Sequence, residues 1–311
     1  MSPLPSGYAI RPPAFDDVDA VAAVLLADEL ADVAPPVYDA DFVRAWWSSP
    51  GSDLAADAWL VVGPDGATVA HASVVPDGDA RLKSWGVVHR DHRGLGLGSM
   101  LLDLLEARAT ARLGPVSGGA LDHSIDDADD AARAMVLGRG FSFVRSFRHM
   151  LIDLDGPRHP GTAPTGIEIR GIDPEEDLAR AHAIFVDAFA DEWGYREIPF
   201  AEWRSLEVDI PAFDPSLWLL ATDGDAVVGA LSAVAQDGRG WVGELGVRRA
   251  WRGRGIGSAL LRRTFATFAD RGMPRVMLNV DFDNPTGAMR LYERVGMRAV
   301  RGYDIFEKPI G

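Results

Sequence analysis

The second half of this chain repeats its first. Trp85-Gly-Val-Val-His-Arg-Asp-His-Arg-Gly-Leu-Gly-Leu-Gly-Ser corresponds in type and order to Glu244-Leu-Gly-Val-Arg-Arg-Ala-Trp-Arg-Gly-Arg-Gly-Ile-Gly-Ser, which sets Arg93 opposite Arg252, 159 positions on. Farther along, Leu137-Gly-Arg-Gly-Phe matches Glu293-Arg-Val-Gly-Met and sets Gly140 opposite Gly296, 156 positions on, so one three-residue indel separates the two matches. A period this long means that each copy is a folding unit rather than a repeat of a solenoid. The 311 residues then divide into two domains of ordinary size.

Between the copies, residues 155–166 are rich in Pro and Gly and lack apolar periodicity, which predicts domains over 1–155 and 166–311 with a linker at 156–165. Each half opens on a short strand, Tyr8 to Arg11 or Ile167 to Arg170, followed by helical sequence and a run of strands. In the second half Ser216 to Thr222, Ala226 to Ala235 and Trp241 to Val247 are β-rich, and Asp223-Gly224-Asp225 and residues 237–240 between them are hairpin signals. Leu260, Leu261, Phe265 and Phe268 have helical spacing. Arg275 to Val280 then reads as a strand, Pro285 to Val295 as a helix, and Met297 to Phe306 as a closing strand. The class is α/β or α+β with a mixed sheet.

Several function classes fall away on composition. The chain has no cysteine, which excludes disulfides, thiolate metal sites and a Cys nucleophile. The net charge is −15, with −11 over residues 1–155 and −4 over 156–311, the wrong sign for a protein that binds nucleic acid by counterion release. No apolar run approaches the roughly 18 residues of a membrane span, and the first residues show no basic segment followed by an apolar one, so a cytoplasmic protein is expected. The seven histidines have no ligand spacing, and no metal is expected. Asp126, Asp127, Asp129 and Asp130 read as the solvated first turn of a helix.

The repeated loop carries the chemistry. Arg252-Gly253-Arg254-Gly255-Ile256-Gly257-Ser258 lies where a strand ends and a helix begins, and so does Arg93-Gly94-Leu95-Gly96-Leu97-Gly98-Ser99. Free amides and the helix dipole favour an anion there, and glycines let the main chain curl around a phosphate. A plain glycine-rich turn is the alternative, but two copies in one context argue against it. The spacing fails the Gly-x-Gly-x-x-Gly dinucleotide fingerprint. A Walker loop fails as well, since Lys83 and Lys308 are the only lysines and neither follows such a glycine.

These loops resemble the Arg/Gln-x-x-Gly-x-Gly/Ala pyrophosphate loop of the GNAT family of acyl-CoA-dependent N-acetyltransferases. A second family element, Asn-x-x-Ala-x-x-Leu-Tyr before a Gly-Phe-like pair, is similar to Asn284-Pro-Thr-Gly-Ala288-Met-Arg-Leu291-Tyr292 with Gly296-Met297. The resemblance covers both halves. It implies two tandem domains, each a mixed, mostly antiparallel sheet flanked by helices, with acetyl-CoA as cosubstrate and a small-molecule or peptide amine as acceptor. It also implies that Leu245, Val247, residues Arg252 to Ser258 and Asn284 hold the cofactor in the second half, and Val88 with Arg93 to Ser99 in the first. In the family a backbone amide near Val247 would polarise the thioester carbonyl, and Tyr292 would be the acid toward the departing sulfur, a role that a phenol protonated at neutral pH can fill.

The base is open. Relatives carry Glu four residues before the position of Leu245, and Trp241 stands there. Glu244 is the nearby carboxylate, but strand alternation turns it away from Trp241 and Leu245 unless a bulge intervenes. In the first half the same offsets put Ala128 at Asn284 and Val136 at Tyr292, which points to a non-catalytic N-terminal half that keeps its cofactor loop. Phe189, Asp191, Glu192, Trp193, Tyr195, Glu197 and Trp203 are candidates for the acceptor pocket, against the alternative of aromatic core. Tandem arrangement also resembles family members that acetylate the cysteinyl amine of a sugar-linked thiol. A non-enzymatic acyl-CoA-binding protein is the competing class, and Tyr292 is the residue that discriminates against it.

Overall fold

A computed structural model describes residues 4–29, 37–114, 116–190, 192–236, 238–283 and 287–310. In chain order the elements are β1 (Ala9–Arg11), α1 (Val18–Glu29), α2 (Ala40–Trp47), α3 (Leu54–Asp57), β2 (Ala58–Val62), β3 (Thr68–Pro76), β4 (Arg81–Val88), α4 (Leu97–Leu113), β5 (Gly119–Asp126), α5 (Asp130–Leu137) and β6 (Ser142–Asp153). They continue with β7 (Ile167–Gly171), α6 (Leu178–Phe189), α7 (Phe200–Glu207), β8 (Leu219–Asp223), β9 (Ala226–Gln236), β10 (Arg239–Val247), α8 (Ile256–Asp270), β11 (Arg275–Asp281), α9 (Ala288–Arg294) and β12 (Arg298–Ile310). The expected strands and helices of the second half recur to within a few residues. The helix expected from Pro285 begins at Ala288, with 285 and 286 outside the described residues.

Two compact units form, and they do not follow the linker. The first is Met1–Phe147 with Arg301–Gly311, and the second is Arg148–Val300. This corrects a division at 156–165 into self-contained halves. In the first unit the strands run β1-β2-β3-β4-β5, and the 301–310 stretch of β12 then pairs antiparallel with β5 from Tyr303↔Asp126 to Ile310↔Gly119. Polar contacts fix that register: Arg81 bridges Asp122 and Glu307 at 2.8 and 2.6 Å, and Arg301 meets Asp126 at 2.9 Å. In the second unit residues 148–153 of β6 lie beside β11, followed by β10-β9-β8-β7. Met297 to Phe306, expected to close the second half, mostly closes the first, while the end of β6 closes the second.

β1-β2-β3-β4, β5-β12 and β7-β8-β9-β10 pair antiparallel, whereas β4 pairs β5 and β10 pairs β11 in parallel. The registers carry the two sequence offsets: Arg81 pairs Ala120 in the first unit and Gly240 pairs Val276 in the second, shifted by 159 and 156. The three-residue indel therefore falls in the helix and connector between them, and α4 is 17 residues long where α8 is 15.

Apolar spacing explains the packing. Leu260, Leu261, Phe265 and Phe268 of α8 are buried on the sheet face of Leu231, Ala233 and Val242, and α4 presents Leu97, Leu101, Leu102 and Leu105 to Leu82, Leu121 and Phe306. On the other face of the first sheet, Trp47, Leu60 and Trp85 pack with α1 and α2 around His71, which is wholly buried.

His71 Nε2 accepts from Trp47 Nε1 at 3.3 Å, and burial pushes its pKa down to about 3. The unfolded chain, titrating near 6.5, then binds more protons than the fold between those values, so stability is full above pH 6.5 and drains away as pH falls. At pH 5 the loss from this residue is about 2 kcal/mol. Urea unfolding of the first unit at pH 7 and pH 5 is expected to show it, with a smaller difference in His71→Gln.

Candidate active site

Both glycine loops take the shape the sequence demands. Gly253 and Gly255 have φ of +76° and +86°, and Gly94 and Gly96 have +76° and +82°. A Cβ on Gly94, Gly96 or Gly253 would meet no described atom within 4 Å, so the concave side of each loop is open space that a phosphate can fill. Gly255 and Gly96 are the N-caps of α8 and α4, whose first-turn amides have no intrahelical acceptor. The loop residues Arg252 and Arg93 act on the protein instead: Arg252 Nε donates to the Val247 carbonyl at 3.0 Å and Arg93 Nε to the Val88 carbonyl at 3.3 Å. Each ties its loop to the end of the preceding strand. Arg254 lies 6.0 Å from the Trp251 ring.

Below each loop the parallel strands part. The β10–β11 ladder ends at Trp241↔Met277 although β10 runs on to Val247 and β11 to Asp281. The β4–β5 ladder ends at Trp85↔Ser124, short of Val88. A V-shaped gap results in both units, with Leu245 and Val247, or Val88, along one arm. In the first unit a cavity of about 480 Å³ fills this gap, lined by Val88, Arg93, Gly94, Gly96, Leu97, Gly98 and Ser99 and reaching His123 and Met135.

A bulge decides where Glu244 points. Val242 pairs Ala233 but Leu245 pairs Leu231, so Gly243 and Glu244 together oppose Ser232. Glu244 N donates to Ser232 Oγ at 2.9 Å, and a Cβ on Gly243 would come to 3.0 Å from that oxygen, so a side chain there would press on this bond. The faces change as a result. A Cβ on Gly240 would point into Phe268 of α8, whereas one on Gly246, six residues on, would point into Ile184 and Ala188 of α6. In a regular strand both would share a face. Trp241 and Glu244 thus lie together on the α6–α7 side, and Leu245 turns toward α8. The expectation that Glu244 faces away from Trp241 gives way to the bulge that was its stated exception, and the shared face of Trp241 and Leu245 is overturned.

Glu244 Oε2 accepts from Trp203 Nε1 of α7 at 3.1 Å. Burial, reinforced by the nearby Glu207 carboxylate and opposed by the Trp203 bond, raises its pKa to about 8. Burial also raises Glu207, and Tyr195 is raised by burial and by Glu197 and Glu244. Of the residues considered for the acceptor pocket, Trp203 is a buried wall, tilted against His182 at 5.0 Å and stacked on Phe200 at 5.9 Å, and Phe189 packs against the core. Ser232 and Glu207 gave no signal in the sequence.

Tyr292 is buried on α9, and its pKa is raised by burial and then by Glu192, which keeps the phenol protonated. Asn284 and Asp191 lie outside the described residues. In the first unit the corresponding positions differ. The β3–β4 ladder runs from Ala70↔Val88 to Pro76↔Leu82 without a shift, Trp85 takes the place of Glu244, and Val136 takes that of Tyr292. Asp129 caps α5 by accepting from Ala132 N at 2.8 Å, as an N-terminal turn should.

A profile of the acetyltransferase (GNAT) family matches residues 24–141 and again 179–297. The chain belongs to that family. A GNAT relative called mycothiol acetyltransferase, from Kineococcus radiotolerans, is 34% identical over 309 residues, covering 95% of each chain, and one of the same name from Thermobispora bispora is 31% identical over 90% of this chain and 92% of its own. Among solved structures, a GCN5-related N-acetyltransferase from Sphaerobacter thermophilus superposes with a TM-score of 0.84 at 34% identity over 99% of this chain and 97% of the other. A tandem GNAT protein from the clavulanic acid biosynthesis pathway shares the fold, with a TM-score of 0.70 at 19% identity over 98% and 99% of the chains. This GNAT protein is an N-acetyltransferase built of two such domains. Among the described residues no helix is long and apolar enough to cross a membrane, and no group of three metal-ligating side chains occurs.

Proposed function

We propose that the second unit transfers an acetyl group from acetyl-CoA to a primary amine of a small molecule, and that the first unit keeps a cofactor site without chemistry. One observation carries this reading: the bulge, the carboxylate and the phenol occur together in the second unit, while the first has a regular strand, Trp85 and Val136 in their place. The pyrophosphate rests on the amides of residues 253–258, and the pantetheine arm lies in the gap between β10 and β11 beside Leu245 and Val247. The amine enters from the α6–α7 side and attacks the thioester carbon. As the C–N bond forms, the surplus amine proton passes to Glu244, directly or through water; as the C–S bond breaks, Tyr292 gives its proton to the sulfur.

A second reading concerns the acceptor. Relatives that match nearly the whole chain bear the name mycothiol acetyltransferase, which favours a cysteinyl amine on a sugar-linked thiol. Trp241 replaces their expected carboxylate position, and the bulge supplies Glu244 from three residues on, on the same face. Mass-spectrometric detection of N-acetyl product from such an amine, against simple alkyl amines, tests this choice; acetylation of the alkyl amines alone would overturn it.

Glu244 also fixes a pH dependence. With a pKa raised to about 8, the carboxyl is protonated below that pH and becomes a base above it, so kcat is expected to climb close to tenfold per unit below pH 8 and level off beyond. Glu244→Gln should lower kcat about tenfold at pH 8 and flatten the climb. An unchanged slope in the variant would assign the titration to the amine.

A further inference from the structure

Ser84 and His123 face each other across the parallel β4–β5 pair, one step before the strands part. Both are buried. Ser84 Oγ donates to the Asp122 carbonyl at 2.9 Å and lies 2.8 Å from His123 Nδ1. A carbonyl oxygen has no hydrogen to give, so the one serine proton is committed to it. The contact with the ring must then use a hydrogen on His123 Nδ1, which leaves Nε2 with a bare lone pair. Burial pushes the ring's pKa down to about 4, so it stays neutral.

His123 lies on the strand face of Leu121 and Ile125, toward α4, and lines the cavity of the first unit where the strands diverge. Among the described residues no hydrogen bond is made by its Nε2, and the side chain borders that cavity. From the divergence at Trp85 to the end of β4 at Val88 is about 10 Å. An arm anchored by phosphates in the glycine loop and lying along this gap brings its far end to His123.

We propose that the first unit's cavity is a site for free coenzyme A, in which His123 Nε2 accepts the thiol hydrogen and so discriminates against the acetylated form. The inference rests on the reading that this unit holds the cofactor. A thiol offers the hydrogen that the lone pair lacks, whereas an acetyl thioester offers only acceptors and leaves a buried nitrogen unpaired. The second unit has no such device: Gly243 and Asn279 stand at the positions of Ser84 and His123. The site therefore reads the thiol product of the transfer rather than its substrate.

The test is calorimetric titration of Gly255→Asp protein, whose second phosphate cradle carries a carboxylate, with coenzyme A under reductant and with acetyl-CoA. Coenzyme A is expected to bind about tenfold more tightly, the worth of one hydrogen bond to an otherwise unpaired buried acceptor. His123→Leu should bring the two affinities within about twofold of each other. Ser84→Ala, which removes the group that fixes the tautomer, should also shrink the preference and carries the test if His123→Leu fails to fold. Equal affinity of the parent for both ligands, or a preference that survives both substitutions, would overturn the discrimination while leaving the cofactor reading intact. Binding of neither ligand would overturn both.

Discussion

Tyr292→Phe is expected to lower kcat about 100-fold while changing the affinity for acetyl-CoA less than twofold. The substitution removes one oxygen from a buried ring and leaves its packing against α8 in place, so the fold has little reason to respond. What goes is the proton donor. Expulsion of a thiolate without a donor costs the advantage of general acid catalysis, typically 10²–10⁴-fold. Burial and Glu192 hold the phenol in its protonated form throughout the neutral range, so the wild-type enzyme should show no descending limb from this group below pH 10. Stopped-flow measurement of kcat together with calorimetric binding separates the two quantities. Parallel loss of rate and affinity would reduce Tyr292 to a core residue, and an unchanged rate would move the acid elsewhere.

Gly255→Asp should weaken acetyl-CoA binding in the second unit by about 100-fold or more. Two effects act together. The φ of +86° is one that a side chain resists, at about 1–2 kcal/mol. The new carboxylate also projects beside the first-turn amides of α8, where it satisfies the donors meant for the pyrophosphate and repels its charge. Gly255→Ala separates the contributions, because it keeps the strain and omits the charge; its loss should stay near tenfold. Calorimetry that finds the Asp variant binding as tightly as the parent would remove the loop from the cofactor site.

Much of this arrangement is legible in the letters. The glycines of each loop mark the cradle in both copies, the hairpin signals and helical spacing around the second loop specify its strand and helix, and the two offsets survive as the registers of the parallel pairs. The bulge is less visible. Alternation along residues 239–247 counts residues but not partners, and the extra one is located only by Ser232, which lies on another strand. Gly243 is its one local trace. The Ser84–His123 pair is hidden for the same reason, since 39 residues separate two side chains that touch only through the sheet. The linker misled in a different way: a Pro- and Gly-rich stretch marks where the chain is free of regular structure, and this one packs along α8, with Gly161 against Arg262 and Pro164 near Gly255. Composition cannot say which strand a departing chain will return to.

That return has a consequence for how such a protein persists. Because residues 301–311 complete the first unit and residues 148–153 complete the second, neither copy owns all of its own sheet. Deleting the gene segment for either copy removes a strand from the survivor and bares the backbone groups of β5 or β11. A cut within 156–165 would not release the pieces, since each still supplies the other's missing strand. The first copy carries Val136 and Trp85 where the second has Tyr292 and Glu244, and its strands are indispensable all the same. Its continued presence is enforced by threading alone, whichever unit does the chemistry.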